Sequence, residues 1–286
     1  MSDIHNTYAC REQTFLACMP NLAFTGLSEN WLLKECGHQH WLALAQLHDR
    51  PLPDFRDDTG RIAYAAFTAV RCWDMALPSV AENRSFNIHT RITRSGMARH
   101  FSEHTVNLGA QVVARLALLS TFVSRHLPGD NRSVTKARLA SSKAPGIAPP
   151  MQQQLQSDNR RLRAGDWESH HRLRREHCVL AGTFDYTPCP DADYNGAGFL
   201  YFANFQAIVD RAEWALLGLR RLGHTTAREL HYYANLNVGD GVRVELHTGC
   251  SSDRSAHWCQ IYRRSDNTCL ADIFTAKAYP SNCSRP

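Results

Sequence analysis

Hydrophobic and polar positions alternate along most of this chain, and period-two alternation predicts half-buried β-strands. Three such stretches precede residue 127: RIAYAAFTAVRCW, FNIHTRITRSGMARHFSEHTVNL and QVVARLALLSTFVSRH. Five follow residue 177: VLAGTFDYT, ARELHYYANLNV, GVRVELHTGC, HWCQIYRRS and CLADIFTAKAY. Turn-forming residues separate the strands and favour antiparallel pairing, at Ser95-Gly96, Gly109, Gly239-Asp240-Gly241 and Ser265-Asp266-Asn267.

One helical segment opens each half of the chain. PNLAFTGLSENWLLKECG, which begins at Pro20, has a short apolar lead-in, a glycine-containing turn and a helix. PDADYNGAGFLYFANFQA begins 170 residues later, at Pro190, and repeats that pattern. The corresponding pairs include Phe24 with Tyr194, Gly26 with Gly196, and Trp31 with Tyr201. An internal repeat is the economical interpretation, and chance similarity is the alternative.

The segment between the two halves is rich in Pro, Gly, Ser and Gln. We therefore predict a first unit over residues 1–127, a connector over 128–170 and a second unit over 171–286. The net charge of +5 is concentrated near this connector, so the rest of the chain is neutral and nucleic acid is not an expected partner. Two interpretations of the basic segment remain: a solvated connector, or a basic strip beside a pocket that attracts a phosphorylated or acidic carrier.

Composition narrows the class of protein. A chain of 286 residues that is 43% hydrophobic can bury a large core. No apolar run approaches the roughly 20 residues that cross a bilayer, and the first residues lack the pattern of a signal peptide, so we expect a cytoplasmic protein without a membrane partner. The ten cysteines and the His170-His171 pair lack zinc-site spacing, so the sequence predicts no metal and no cofactor.

One helix laid across an antiparallel sheet, in each of two fused units, predicts an α+β fold with a groove between the units. The turn before each helix should lie at an end of that groove. Amides at a helix start lack intrahelical partners and can stabilise negative charge on a thioester oxygen. The candidates are the first-turn residues Gly26, Leu27 and Ser28 and the second-turn residues Asp193, Asn195 and Gly196. Helix capping would equally explain the Ser28 side chain.

These openings resemble known families. DADYNGAGFLYFANFQAIVDRAEW is similar to the D-x-D helix start of hot-dog acyl-CoA thioesterases, with a turn about two residues longer. MPNLAFTGLSENWLLKECGHQHW, YAAFTAVRCWDM and RSFNIHTRITRSGMARHFSEHTVN resemble a narrower family. This is the double hot-dog bifunctional acyltransferase/decarboxylase family of polyketide biosynthesis, typified by the leinamycin pathway. The likeness spans roughly residues 15 to 280 and implies a double hot-dog fold.

The narrower resemblance implies a reaction. Such enzymes take methylmalonyl-CoA, pass the acyl group through a tyrosine, release carbon dioxide and load propionyl on the acyl carrier protein of a polyketide synthase. Tyr64 matches that tyrosine by position in the YAAFTAVR strand. Since a free phenol has a pKa near 10, the site must assist its ionisation; the open candidates are His38, His40, His104 and Asp193. The alternatives are a hot-dog thioesterase or dehydratase, or a non-catalytic protein that binds acyl carriers.

Overall fold

A computed structural model describes residues 8–94, 99–139, 146–217, 223–249 and 255–279. In the first half, one long helix, α1 (Glu29–Leu47), is accompanied by eight strands. These are β1 (Tyr8–Leu16), β2 (Leu22–Ala23), β3 (Gly26–Leu27), β4 (Tyr64–Trp73), β5 (Ser85–Arg94), β6 (Arg99–Leu108), β7 (Gln111–Arg125) and β8 (Val134–Lys136). The predicted turn at Ser95-Gly96 lies outside the described residues.

The rest of the chain adds three helices and seven strands to the described structure. They are α2 (Pro150–Arg163), β9 (Ser169–His170), β10 (Leu173–Arg174), β11 (Cys178–Tyr186), α3 (Pro190–Asp193), α4 (Phe202–Leu217), β12 (His224–Tyr232), β13 (Val242–Gly249), β14 (Ala256–Arg263) and β15 (Cys269–Ala278). The predicted long strands and the two predicted helices are thus confirmed. None of the helices in the described ranges is long and apolar enough to span a membrane.

The long strands form one antiparallel sheet in the order β1-β5-β6-β7-β4-β12-β15-β14-β13-β11, with β8 beside β7. Each half contributes five long strands. In both halves the order from the outer edge inward is first, third, fourth, fifth and second in the chain. The halves meet at the antiparallel pair β4 and β12, where Val70 lies opposite Leu230. The internal repeat is therefore present in the topology.

Matching irregularities fix which residues of the two halves correspond. In β4 the pairing with β7 shifts around Thr68, whose hydroxyl donates to the Leu119 carbonyl at 3.3 Å. In β12 the pairing with β15 shifts around Thr226, whose hydroxyl donates to the Ala276 carbonyl at 3.2 Å. These two bulges are structural equivalents.

The helices correspond from their first residues, Glu29 and Phe202. The fixed spacing of 170 residues inferred from the sequence therefore fails at the helices, because the turn before α4 is longer than the turn before α1. Gly26 and Gly196 are not structural equivalents. Gly26 lies in β3, whereas Gly196 lies in the longer turn.

Helices α1 and α4 lie on the same face of the sheet and contact each other. Gly37 permits this contact, since a Cβ there would lie 2.7 Å from the Phe202 ring. Gly37 is thus tolerated inside a helix, where glycine costs about 1 kcal/mol relative to alanine. One buried hydrophobic cluster contains residues from both helices and both halves of the sheet.

The described part of the predicted connector contains a packed helix. Helix α2 packs against β4 and β12 on the sheet face opposite α1 and α4, with Leu155 and Leu162 buried. Asp158 is also buried, and it accepts hydrogen bonds from Arg161 at 2.9 Å and Arg71 at 3.3 Å. Part of the basic charge of this segment is therefore neutralised within the fold rather than exposed.

Candidate active site between the two units

A cavity of about 730 Å³ lies where the start of α1 meets α4. The first turn, the loop after β4, β11, α4 and the start of β12 all contribute to its wall. Much of the lining is apolar: Ala23, Leu27, Leu77, Pro78, Phe184 and Trp214. Its polar groups are concentrated at the helices, where Ser28, Glu29, Gln206 and Asp210 line it. An apolar pocket with a few convergent polar groups is the usual form of a small-molecule site.

A buried arginine holds the two carboxylates of the cavity. Arg228, on β12, is fully buried; its guanidinium lies 2.6 Å from a Glu29 oxygen and 2.7 Å from Asp210 Oδ1. The Asp210 side chain is 42% exposed, whereas that of Glu29 is 9% exposed. Asp210 is thus the carboxylate that a bound ligand or a water molecule can reach.

Amide side chains complete the support of Asp210. Asn30 donates to Gln206 Oε1 at 3.2 Å, and Gln206 in turn donates through Nε2 to Asp210 Oδ2. Asn30 also donates to the Ala203 carbonyl at 2.9 Å. This chain links the first turn of α1 to the carboxylate on α4 and limits the rotation of both.

The charges behind the cavity are nearly balanced. Glu213 lies 2.6 Å from Lys277 and 3.6 Å from His257. Burial raises the pKa of Glu29, against the lowering effect of Arg228, and burial also raises the pKa of Glu213. Burial lowers the pKa of His257 to about 3, so this imidazole is neutral at pH 7. Glu29, Asp210 and Glu213 are therefore matched by the cations Arg228 and Lys277, and Arg211 adds a further cation at the cavity wall.

Backbone donors at the start of α1 are only partly free. The Ser28 amide donates to the Asn21 carbonyl at 3.0 Å, and Ser28 Oγ caps the helix by accepting from the Trp31 amide at 3.3 Å. The capping interpretation of the Ser28 side chain is confirmed, and the Ser28 amide is not available to a ligand. The next amides, of Glu29 and Asn30, have no intrahelical acceptor at this helix start and lie beside the cavity.

The equivalent corner of the other half has no such charges. Phe202 corresponds to Glu29, and Gly37 corresponds to Asp210, eight residues into each helix. Val70 follows the β4 bulge by two residues, as Arg228 follows the β12 bulge. At this second corner the Phe202 ring covers Gly37 and packs at a tilted angle against Phe67, with ring centres 4.3 Å apart. Buried ions at one corner are thus replaced by apolar packing at the other.

Tyr64 lies near this second corner. Its ring is half-buried and packs edge-on against Phe199, with ring centres 5.5 Å apart. The Arg125 guanidinium lies 5.7 Å from the Tyr64 ring centre and 3.9 Å from that of Phe199. Tyr64 is not among the residues that line the 730 Å³ cavity. The structure thus brings Tyr64 together with the second turn, not with the first.

The second-turn candidates are engaged in local hydrogen bonds. Asp193 is buried, and its Oδ2 accepts from the Cys189 amide and the Tyr186 hydroxyl, both at 2.8 Å. Asn195 Oδ1 accepts from the amides of Ala197 and Phe199, both at 3.1 Å, which closes the turn. These contacts account for Asp193 and Asn195 as residues that shape the turn. Tyr186 also lines the cavity, so Asp193 lies one side chain away from it.

The two candidate glycines should respond differently to substitution. Gly26 has a φ of +107°, and a Cβ there would lie 2.5 Å from the Leu77 carbonyl oxygen. We expect Gly26→Ala to lower the free energy of unfolding by about 2–4 kcal/mol, because it combines backbone strain with overlap. Gly196→Ala is the matched control: its Cβ would meet nothing within 4 Å, so a change within about 0.5 kcal/mol is expected. Urea denaturation measures both, and equal effects would contradict the assignment of Gly26 as a close-packed position.

The residues at the charged end of the cavity were missed in the sequence. No short motif contains these residues, because they come from two helices and a strand. They are Glu29, Gln206, Asp210 and Arg228. One signal was present: in IVDRAEW, α4 carries the acidic residues Asp210 and Glu213 among apolar residues that face the core. A charged residue on the buried side of a helix is rarely tolerated without a partner.

Comparison with known proteins identifies the fold. The chain is an α+β protein with a double hot-dog fold, in which two fused units each lay a helix against an antiparallel sheet. No protein-family model matches it, and no curated protein sequence matches it. The evidence of relationship is therefore structural.

Three solved structures illustrate the likeness. The 12:0-ACP thioesterase from Umbellularia californica is 11% identical with a TM-score of 0.62, over 94% of this chain and 97% of that chain. An acyl-ACP thioesterase from Bacteroides thetaiotaomicron is 10% identical with a TM-score of 0.60, over 94% and 98%. A conserved protein with a hot dog fold from Alicyclobacillus acidocaldarius is 12% identical with a TM-score of 0.50, over 95% and 94%. At these identities the likeness establishes the fold alone, and it does not extend to the narrower decarboxylase family.

Proposed function

We propose that this protein hydrolyses acyl thioesters, carried by an acyl carrier protein or by coenzyme A, in the cavity between α1 and α4. The observation that carries the proposal is the accessible Asp210 carboxylate, held by Arg228 and Gln206 beside the free amides of Glu29 and Asn30. The apolar wall of the cavity suits an acyl chain. Two of the structural neighbours described above are thioesterases of acyl-ACP, which is consistent with this choice of substrate.

The proposed reaction uses these groups in defined roles. Asp210 accepts a proton from a water molecule as the water oxygen attacks the thioester carbonyl carbon. The amides of Glu29 and Asn30 donate to the carbonyl oxygen as it becomes negative, and the dipole of α1 favours that charge. The carbon–sulfur bond then breaks, the leaving thiolate of the carrier takes the proton back from Asp210, and the carboxylic acid is released.

A second candidate function is decarboxylating acyl transfer through Tyr64, from methylmalonyl-CoA to a carrier protein of a polyketide synthase. The specific observation in its favour is Arg125, since a guanidinium beside a phenol stabilises the phenolate that accepts the acyl group. Arg125 is the last residue of β7, and the sequence alone did not suggest it as such a helper.

One experiment separates the two functions. Wild-type protein and Tyr64→Phe are incubated with dodecanoyl-CoA, dodecanoyl carrier protein and methylmalonyl-CoA, and products and intact protein masses are followed by mass spectrometry. Hydrolysis predicts free acid and free thiol in equal amounts, with full activity in Tyr64→Phe. Acyl transfer predicts a propionyl adduct that Tyr64→Phe abolishes. Unchanged thioesters in every mixture would overturn both functions and favour a non-catalytic carrier-binding protein.

A further inference from the structure

A second polar cluster lies on the opposite face of the sheet from the cavity between the helices. Glu229 and His231 project from β12 toward α2, and His170 reaches them from β9. The Glu229 Oε1 atom lies 3.0 Å from His170 Nε2 and 2.7 Å from His231 Nε2. One atom from each residue lies within 4.8 Å of the other two. Three side chains, two from β12 and one from β9, thus direct one ligand atom each toward a common point.

The carboxylate of this cluster is oriented by an outer set of charges. Arg71, opposite Glu229 in the sheet, donates to Glu229 Oε2 at 2.6 Å. Arg71 is held in turn by Asp158 of α2 at 3.3 Å. Glu229 therefore turns Oε2 to arginine and leaves Oε1 for the two imidazoles. Carboxylates that bind metals are commonly fixed by such hydrogen bonds to the oxygen that does not bind.

The cluster is buried on one side and open on the other. The side chains of His231, Glu229 and His170 are 0%, 2% and 8% exposed. His170 and Glu229 line a cavity of about 560 Å³, whose wall also includes Arg71, Asp158 and His171. An ion bound by the three side chains would contact His231 on its buried side and would face this cavity on its open side. A fourth ligand from solvent could then occupy the open position.

We propose that His170, Glu229 and His231 form a binding site for a divalent transition metal ion, with Zn²⁺ as the preferred ion. Two imidazoles and one carboxylate, with one open position, are a ligand set that zinc uses in proteins. The sequence did not indicate this site, because His170 lacks a carboxylate or thiol at a suitable spacing nearby. The other two ligands lie in ARELHYY, where Glu229 and His231 alternate with residues that face α1 and α4. The site is independent of the proposed thioester reaction.

The test measures metal binding by the full chain, first freed of metal with a chelator. Zn²⁺ is titrated in the presence of a weak competing chelator, and Co²⁺ is added separately to record its visible absorption. We expect one tight site per chain, and a loss of affinity of at least about 100-fold in His231→Gln and in His170→Gln. His89→Gln, an exposed histidine on β5, is the matched control and should bind as the wild type does.

Two further readings keep the test decisive. Far-UV circular dichroism and thermal unfolding without metal show whether each variant is folded. His170→Gln alters the more accessible ligand, so it still tests the site if replacement of the buried His231 prevents folding. Zn²⁺ should raise the unfolding temperature of the wild type and of His89→Gln but not of the two ligand variants. Equal affinity in all four folded proteins, or no stoichiometric binding by the wild type, would overturn the proposal.

Discussion

Replacing Asp210 by asparagine is expected to lower kcat/KM for thioester hydrolysis by at least about 100-fold, because the amide cannot accept the proton of the attacking water. The change keeps the size of the side chain and leaves an oxygen for Arg228. The KM should change little, since the apolar wall that receives the acyl chain is intact. Release of free thiol from dodecanoyl-CoA, followed with a thiol reagent, gives both constants.

The matched control for this experiment is Asp185→Asn. Asp185 lies on β11 and is 54% exposed, with only a long contact of 3.6 Å to Arg264. Its replacement should leave kcat/KM within a factor of two of the wild type, as an order-of-magnitude expectation for a surface change. If Asp210→Asn retains wild-type turnover while remaining folded, Asp210 is not the base and the proposed mechanism fails.

Replacing Arg228 by methionine should destabilise the fold by about 3–5 kcal/mol, because it leaves the buried Glu29 carboxylate without its cation. Arg228 is fully buried, and Glu29 and Asp210 both contact it. Burial alone would lower the pKa of Arg228, but Asp210, Glu29 and Glu213 raise it overall, so this side chain stays charged at any ordinary pH. Chemical denaturation at pH 7 measures the loss.

The loss should depend on pH in a defined direction. Without Arg228 the effect of burial on Glu29 is unopposed, so the pKa of this carboxyl in the folded variant rises further above its unfolded value. A raised pKa means that the folded state binds the proton more tightly, so stability is retained at low pH and lost as pH rises through the folded pKa. The deficit relative to the wild type should therefore be larger at pH 8 than at pH 5.

Arg264→Met provides the control for the stability measurement. Arg264 is 51% exposed and makes a surface contact with Asp185, and such pairs contribute at most about 0.5 kcal/mol. A deficit for Arg228→Met that matches this control, or that grows as pH falls, would contradict the assignment of Arg228 as the cation that neutralises the cavity.

The fold was largely accessible to sequence reasoning because its signals are local. Alternation of polar and apolar residues located the long strands, and the glycine-containing openings located α1 and α4. The exact correspondence of the halves was not accessible, since the turn around Asn195 is longer than the first turn and displaces α4 relative to the sequence repeat. Helix α2 was also missed, because few of its buried residues are apolar, chiefly Leu155 and Leu162.

The site was less accessible, because it depends on which elements meet. The Ser28 amide was expected to be free, but no sequence pattern indicated that β2 pairs with β3 or that this amide donates to the Asn21 carbonyl. Asp193 and Asn195 fitted a pattern of catalytic residues, and their hydrogen bonds hold the turn. Tyr64 stays a prediction. The contact between Asp210 and Arg228 could not be predicted, because it depends on the packing of α4 beside β12.

The difference between the two corners bears on the number of ligands that one chain binds. The second corner has Phe202, Gly37 and Val70 at the positions of Glu29, Asp210 and Arg228. Among the described residues, the arginine-held carboxylate pair is present at the first corner, whereas at the corresponding positions of the second corner the Phe202 ring covers Gly37. Under the proposed function, we therefore expect each polypeptide to bind a single acyl ligand at saturation. The second corner would serve as a rigid wall.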